Sequence, residues 1–221
     1  GGDPKLKRDF LNPEYTFSTF VVGQGNQVAH AACHSVSENP GKSVNPLFVY
    51  GPSGLGKTHL LNAIGNEVRV KKPHLRICYV SGERFLTDFV ASIRHGQMEK
   101  FRKRYREQCD LLIIDDIHIL AHKEAVQEEF FYTFNSFHDV GKQVVVSSDK
   151  FPRDIDGLEE RIRTRLEWGL TVDIQPPDVE TRMAILRYKA ESSGLALPDN
   201  VIYLIAQISR KSVRELEGHL A

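Results

Sequence analysis

Cysteine is scarce in this chain: Cys33, Cys78 and Cys109 are odd in number and spaced too widely to form metal-ligand pairs. That excludes a disulfide framework, and their apolar neighbours make reduced core thiols the expectation. An excess of one charge is also missing, since 29 Lys and Arg balance 29 Asp and Glu. No net field draws the molecule to nucleic acid or an anionic membrane, so any such binding must rest on a local patch. No run approaches the roughly 18 apolar residues of a membrane span, and the N-terminus lacks the apolar core of a signal peptide. The nine histidines show no metal spacing. Internal repeats and low-complexity segments are absent too.

What is present is ordinary globular material, with 41% hydrophobic and 26% charged residues in 221. That length suits one α/β domain, with or without a small helical appendage. The chain opens Gly1-Gly2-Asp3-Pro4 without an initiator Met and stops at Ala221 inside a helical pattern, which reads as a fragment of a cytoplasmic protein.

Short apolar runs recur at Leu47–Tyr50, Ile77–Val80, Leu111–Ile114, Val144–Val146 and, more weakly, Leu170–Val172. Runs of this kind suit strands buried on both faces of a parallel sheet. Helical stretches separate them, which predicts right-handed βαβ crossovers. Residues 1–22 read as a polar arm with an apolar cluster at Tyr15, Phe17 and Phe20. Residues 23–175 read as the α/β unit, and a helix at 24–37 ends at Asn39-Pro40-Gly41. Val126, Phe130, Phe134 and Phe137 form a helical stripe that is most simply core. Past Pro176-Pro177 the strands cease, and helical patterns at 178–193, 198–208 and 211–221 predict an all-helical lid over 176–221.

The chemistry is concentrated after the strands. Gly51-Pro52-Ser53-Gly54-Leu55-Gly56-Lys57-Thr58 matches the phosphate-binding P-loop in full, between a predicted strand and a predicted helix. Its glycines let backbone N–H groups converge on phosphate oxygens at a helix N-terminus. Lys57 would reach the β and γ phosphates of ATP, and the Thr58 hydroxyl would ligate Mg²⁺. The third run ends in Asp115-Asp116 at a strand's carboxyl end, the edge where open α/β sheets bind ligands. Asp115 is placed to hold Mg²⁺ through water, and Asp116 to orient or deprotonate the attacking water. The fourth run ends Ser147-Ser148-Asp149, and Asp149 is the candidate beside the γ phosphate.

Two basic segments stay open between two readings. Arg161 and Arg165 lie i and i+4 on one helical face, either a solvated face offset by Glu159 and Glu160 or an arginine finger for a neighbouring subunit's phosphate. Arg94, Lys100, Arg102, Lys103, Arg104 and Arg106, interleaved with Phe101 and Tyr105, suit either an exposed charged helix or single-stranded nucleic acid held by charge and stacking.

From about Leu11 onward the chain resembles the AAA+ ATPase domain of the bacterial replication initiator family DnaA. The resemblance rests on Tyr15-Thr16-Phe17 through Phe20-Val21-Val22-Gly23 with Asn26, on Asn45 to Gly51, and on Gly54 to Leu61. It also rests on Gln127-Glu128-Glu129-Phe130-Phe131, Trp168-Gly169-Leu170-Thr171 and Val213-Arg214-Glu215-Leu216-Glu217-Gly218, the last being characteristic of the initiator. It implies a five-stranded parallel sheet between helices with a helical lid. It implies sensor 1 at Asp149, the arginine finger at Arg165, a second assembly arginine at Arg161 and sensor 2 at Arg214. Val22 and Asn26 fall at the adenine pocket, and His59, directly after the P-loop, is either among the nucleotide-contacting residues or no more than a helix residue. Residues 83–107 match an initiator-specific helical insertion, and Val90 and Lys123 match positions used for single-stranded DNA, although Ala125 stands where related initiators are often basic.

The function so implied is a slow ATP switch in the bacterial cytoplasm. ATP binding permits head-to-tail assembly that grips and opens origin DNA, and hydrolysis to ADP turns it off. Asp116 stands where faster AAA+ motors commonly carry the longer Glu, which implies slow turnover. Duplex origin boxes would be read only by a helix-turn-helix domain that this sequence does not include, and the full protein would meet the replicative helicase machinery and acidic phospholipid. A DnaA-related helicase loader or inactivator, and a nucleotide-bound scaffold without useful hydrolysis, are the alternatives.

Overall fold

The computed structural model describes residues 11–209 and 213–220. The first part of the expected arm and the start of the expected last helix lie outside them. The strands are β1 (Leu47–Tyr50), β2 (Ile77–Ser81), β3 (Leu111–Asp115), β4 (Gln143–Ser148) and β5 (Leu170–Asp173). All pair parallel, in the order β2-β3-β4-β1-β5. The helices are α1 (Gln27–Glu38), α2 (Lys57–Lys71), α3 (Gly82–Arg94), α4 (Met98–Arg102), α5 (Glu124–Asp139), α6 (Glu160–Leu166), α7 (Val179–Ser192), α8 (Asp199–Ile208) and α9 (Val213–Leu220). A π-helical turn (Lys103–Glu107) continues α4, and a 3₁₀ turn (Ile117–Leu120) follows β3.

Continuous apolar strands require cover on both sides, and the side chains divide by alternation. Phe48, Leu112, Ile114, Val144 and Val146 face one layer, with Phe85, Phe101, Tyr105, Phe130, Phe134 and Phe137. Leu47, Val49, Leu111, Ile113 and Val145 face the other, with Ala29, Cys33, Leu60, Leu61 and Ile64. The Phe130, Phe134 and Phe137 stripe is therefore core, and truncating any one to Ala costs about 3–5 kcal/mol. Helices α7 to α9 enclose a separate apolar cluster of Ile185, Leu186, Ile202, Ala206 and Leu216, against which Val21 packs. Among the described residues no cysteine forms a disulfide, and burial pushes the Cys33 thiol up to about 12. Among the described residues no helix is long and apolar enough to cross a membrane.

Segment 98–107 corrects one reading. Phe101 and Tyr105 are buried in the core, so neither ring can stack on a base. The arginines between them are anchored inward. Arg102 and Arg106 pair with the buried Glu129 at 3.0 and 2.6 Å. Arg104 joins Arg84 and the Tyr105 hydroxyl around the buried Asp88, at 3.2, 2.9 and 2.7 Å. Buried carboxylates need such partners, so the arginine spacing answers the core.

Candidate active site

The loop between β1 and α2 closes on Gly56, whose φ of 103° at the helix N-cap favours glycine. A Cβ there would lie 2.9 Å from the Phe20 ring, so the arm presses on the loop. Lys57 is buried and its ammonium donates to the carbonyls of Gly51 and, at 2.9 Å, Pro52. Burial lowers its proton affinity; Asp116, Asp115 and Asp149 raise it, and Arg214 adds to the lowering. Of these charges Arg214, on α9, acts on Lys57 least.

Asp115 ends β3, 3% exposed, beneath three hydroxyls. Thr58 donates to its Oδ2 at 2.6 Å and Tyr79 to the same oxygen at 3.0 Å, while Ser147 of β4 donates to Oδ1. Ser147 Oγ also accepts the Asp116 N–H at 2.9 Å. One β4 hydroxyl thus orients both acids. Asp116 sits at φ 59°, a left-handed conformation that costs about 1–3 kcal/mol and turns its carboxylate away from the strand line. Its carboxyl pKa is raised, first by burial and then by Asp115, which moves it toward the range useful to a general base.

Asp149 follows β4. Its backbone N–H donates to His118 Nδ1 at 3.3 Å, and its carboxylate lies 3.4 Å from the same nitrogen. His118 therefore connects the segment after Asp116 to Asp149. Ser147, Tyr79 and His118 were not singled out from sequence. Ser147 and Tyr79 sit on strands otherwise read as apolar runs or turn polarity, and only the register β2-β3-β4 sets them on Asp115.

His59 turns to the arm. Its Nε2 lies 2.8 Å from the Thr16 carbonyl and 3.2 Å from Thr19 Oγ1, and its ring stacks on Tyr15 at 4.9 Å. Asn62 and Asn66, further along α2, bind the backbone of Asn12 and Tyr15. Asn26 is buried and its amide ties the turn, accepting the Gly23 N–H and donating to the Val21 carbonyl, while Val22 is 48% exposed beside it.

Arg161 and Arg165 lie on α6. Arg161 pairs with Glu159 at 2.7 Å, whereas Arg165 donates to Asn135 at 3.1 Å. Val90 and Ile93 on α3 are exposed, and Arg94 beside them is exposed as well. Lys123 is exposed but folded back, donating to the Ile119 carbonyl at 2.9 Å.

The donor set fits a nucleoside triphosphate with a hard divalent cation. The Gly51–Thr58 loop at the N-terminus of α2 and Lys57 suit phosphate, and the Thr58 hydroxyl and Asp115 carboxylate offer oxygen ligands from one point. The model of the bacterial DnaA ATPase domain matches residues 11–173. This chain belongs to the DnaA ATPase domain family. Chromosomal replication initiator DnaA from Bdellovibrio bacteriovorus is 56% identical over 98% of this chain and 46% of its own length, and that from Pelobacter propionicus 52% over 98% and 48%. The chain thus spans about half the length of the curated relatives it matches.

Domain III of Thermotoga maritima DnaA superposes with a TM-score of 0.92 at 44% identity, over 95% of this chain and 87% of that one. A DnaA bound to AMPPCP and single-stranded DNA superposes with a TM-score of 0.88 at 40% identity, over 96% and 65%. The Thermotoga maritima RuvB motor, at 23% identity and a TM-score of 0.66, shares the fold alone. The five-stranded parallel AAA+ architecture expected from the sequence is thereby the observed one.

Proposed function

We propose that this DnaA-family ATPase domain binds Mg·ATP and acts as a slow switch. Its ATP form assembles head to tail with other copies and engages single-stranded DNA, and hydrolysis to ADP releases both. The observation that carries this reading is the hydrogen bond from Thr58, at the end of the Gly51–Thr58 loop, to Asp115, with Asp116 tied to the same Ser147 hydroxyl as Asp115.

Each residue has a task in this reading. The loop N–H groups and Lys57 bind and orient the phosphates. Thr58 and Asp115 would hold Mg²⁺, which would neutralise charge on the phosphate oxygens. Asp116 orients the attacking water and accepts its proton. Its carboxylate is one methylene shorter than glutamate, and imperfect reach costs orders of magnitude in rate. Asp149 reads the γ phosphate from β4. Arg214 reads it from a lid formed by 176–221, hinged to the α/β unit of 23–175. Val22 and Asn26 border the adenine. Arg165, with Arg161 beside it, serves a nucleotide held by a neighbour.

A relative bound to AMPPCP and single-stranded DNA supports the DNA-binding part. We place that strand on the exposed faces of Val90 and Lys123 within and beside the 83–107 insertion. In the whole protein, duplex origin boxes, helicase machinery and acidic phospholipid would be met by parts outside this chain, in the bacterial cytoplasm. The family match favours an initiator over a helicase loader. Titration with ATP and ADP tests the foundation. Lys57→Ala should weaken both, because its ammonium meets phosphates common to both; undiminished affinity would remove the reading. Single-turnover hydrolysis separates the switch from a scaffold that binds nucleotide without cleaving it.

A further inference from the structure

Arg165 is held differently from its neighbours. Arg153, Arg161 and Arg163 each pair with a glutamate, whereas Arg165 enters no ion pair among the described residues. Its guanidinium carbon lies 3.8 Å from the Trp168 ring centroid and 5.3 Å from that of Phe131. Its Nε donates to Asn135 at 3.1 Å, and among the described residues its two terminal nitrogens donate to nothing. Arg161 lies over the same Phe131 ring, at 4.5 Å.

The support is itself braced. Trp168 packs on His138 and Phe134, with ring centroids at 4.9 and 6.3 Å. Gly169, next in sequence, leaves no room for a side chain, because a Cβ would lie 1.9 Å from the Pro46 carbonyl oxygen at the start of β1. The backbone that follows Trp168 is therefore held against the start of β1, in the sheet that carries the P-loop. Aromatic faces hold a guanidinium by cation–π attraction without neutralising it, and its planar fork stays free for two phosphate oxygens. A carboxylate in the same place would compete for that fork.

We propose that Trp168, Phe131 and Asn135 are positioning residues, an aromatic bracket that presents the unneutralised Arg165 fork to a phosphate held by a second copy of this chain. The proposal rests on the reading of Arg165 as acting in trans. It also gives a task to Phe131 and Trp168, which pack only at the margin of the core.

Trp168 is the only tryptophan, so its emission reports the bracket directly. In the ADP form, Arg165→Ala should shift that emission, since it removes the cation on the ring. Assembly in Mg·ATP, followed by sedimentation, should weaken about tenfold in Trp168→Leu, the equivalent of ~1.4 kcal/mol. Trp168→Phe should restore most of it, and ATP affinity should stay at the parent value in both. Asn135→Ala, at a half-buried position, should weaken assembly in the same direction and guards against a Trp168 variant that fails to fold. If Arg165→Ala assembles like the parent, the in-trans reading fails and takes the bracket with it. If Arg165→Ala is defective while Trp168→Leu and Asn135→Ala assemble normally, the bracket alone is overturned. An unchanged emission in Arg165→Ala overturns it as well.

Discussion

Ser147→Ala removes one oxygen from the point where β3 and β4 meet at the site. Ser147 is fully buried, donates to Asp115 and accepts from the Asp116 N–H at 2.9 Å. The change deletes a hydrogen bond to a carboxylate, a kind worth about 1.5–3 kcal/mol, and leaves a part-buried N–H without that acceptor, which costs about 1–3 kcal/mol more. Partial relaxation brings the expected loss of stability to about 2–4 kcal/mol. For a chain of this size each kcal/mol lowers Tm by about 2–4 °C, so a fall of roughly 5–15 °C is expected. Thermal melts read it without nucleotide, and single-turnover hydrolysis reads the second effect, a slower step from two loosened acids. A variant that melts within about one degree of the parent would refute the assignment of Ser147 as the shared orienting hydroxyl.

Arg214→Ala should leave ADP affinity intact while slowing hydrolysis, since its proposed target is the γ phosphate; equal loss of both in titration and turnover would argue against a sensor role. Charge reversal at Lys123 and Arg94 should remove the ATP-dependent part of single-stranded DNA binding, which should also fall steeply with salt in an anisotropy titration. His59 gives a pH signature. Burial holds its pKa below the ordinary 6.5, partly offset by its bond to the Thr16 carbonyl, so the unfolded chain takes up a proton more readily. Its stabilising share is full above that ordinary value and is lost as pH falls through it. Melts between about pH 5.5 and 7.5 should show this slope, and His59→Gln should flatten it.

Much of this was legible because the signals were local. The five apolar runs are read off adjacent residues, and so is the Gly51–Thr58 loop between β1 and α2. The Phe101 and Tyr105 pair was open to misreading because arginines surround it. The deciding fact, Glu129 and Asp88 buried beneath those arginines, comes from helices distant in sequence. His59, Asn62 and Asn66 look like ordinary polar residues of α2 until the arm supplies backbone carbonyls to His59 and Asn66 and the Asn12 N–H to Asn62, all more than forty positions away. Ser147 and Tyr79 acquire meaning only from the order in which the strands pair.

Sedimentation of the chain in Mg·ATP against Mg·ADP, over a range of protein concentrations, tests the central claim most directly. An ATP-gated assembly through Arg165 predicts larger species that grow with concentration in ATP and a single small species in ADP, with Arg165→Ala small in both. The same size distribution for the parent in ATP and ADP at every concentration would contradict it.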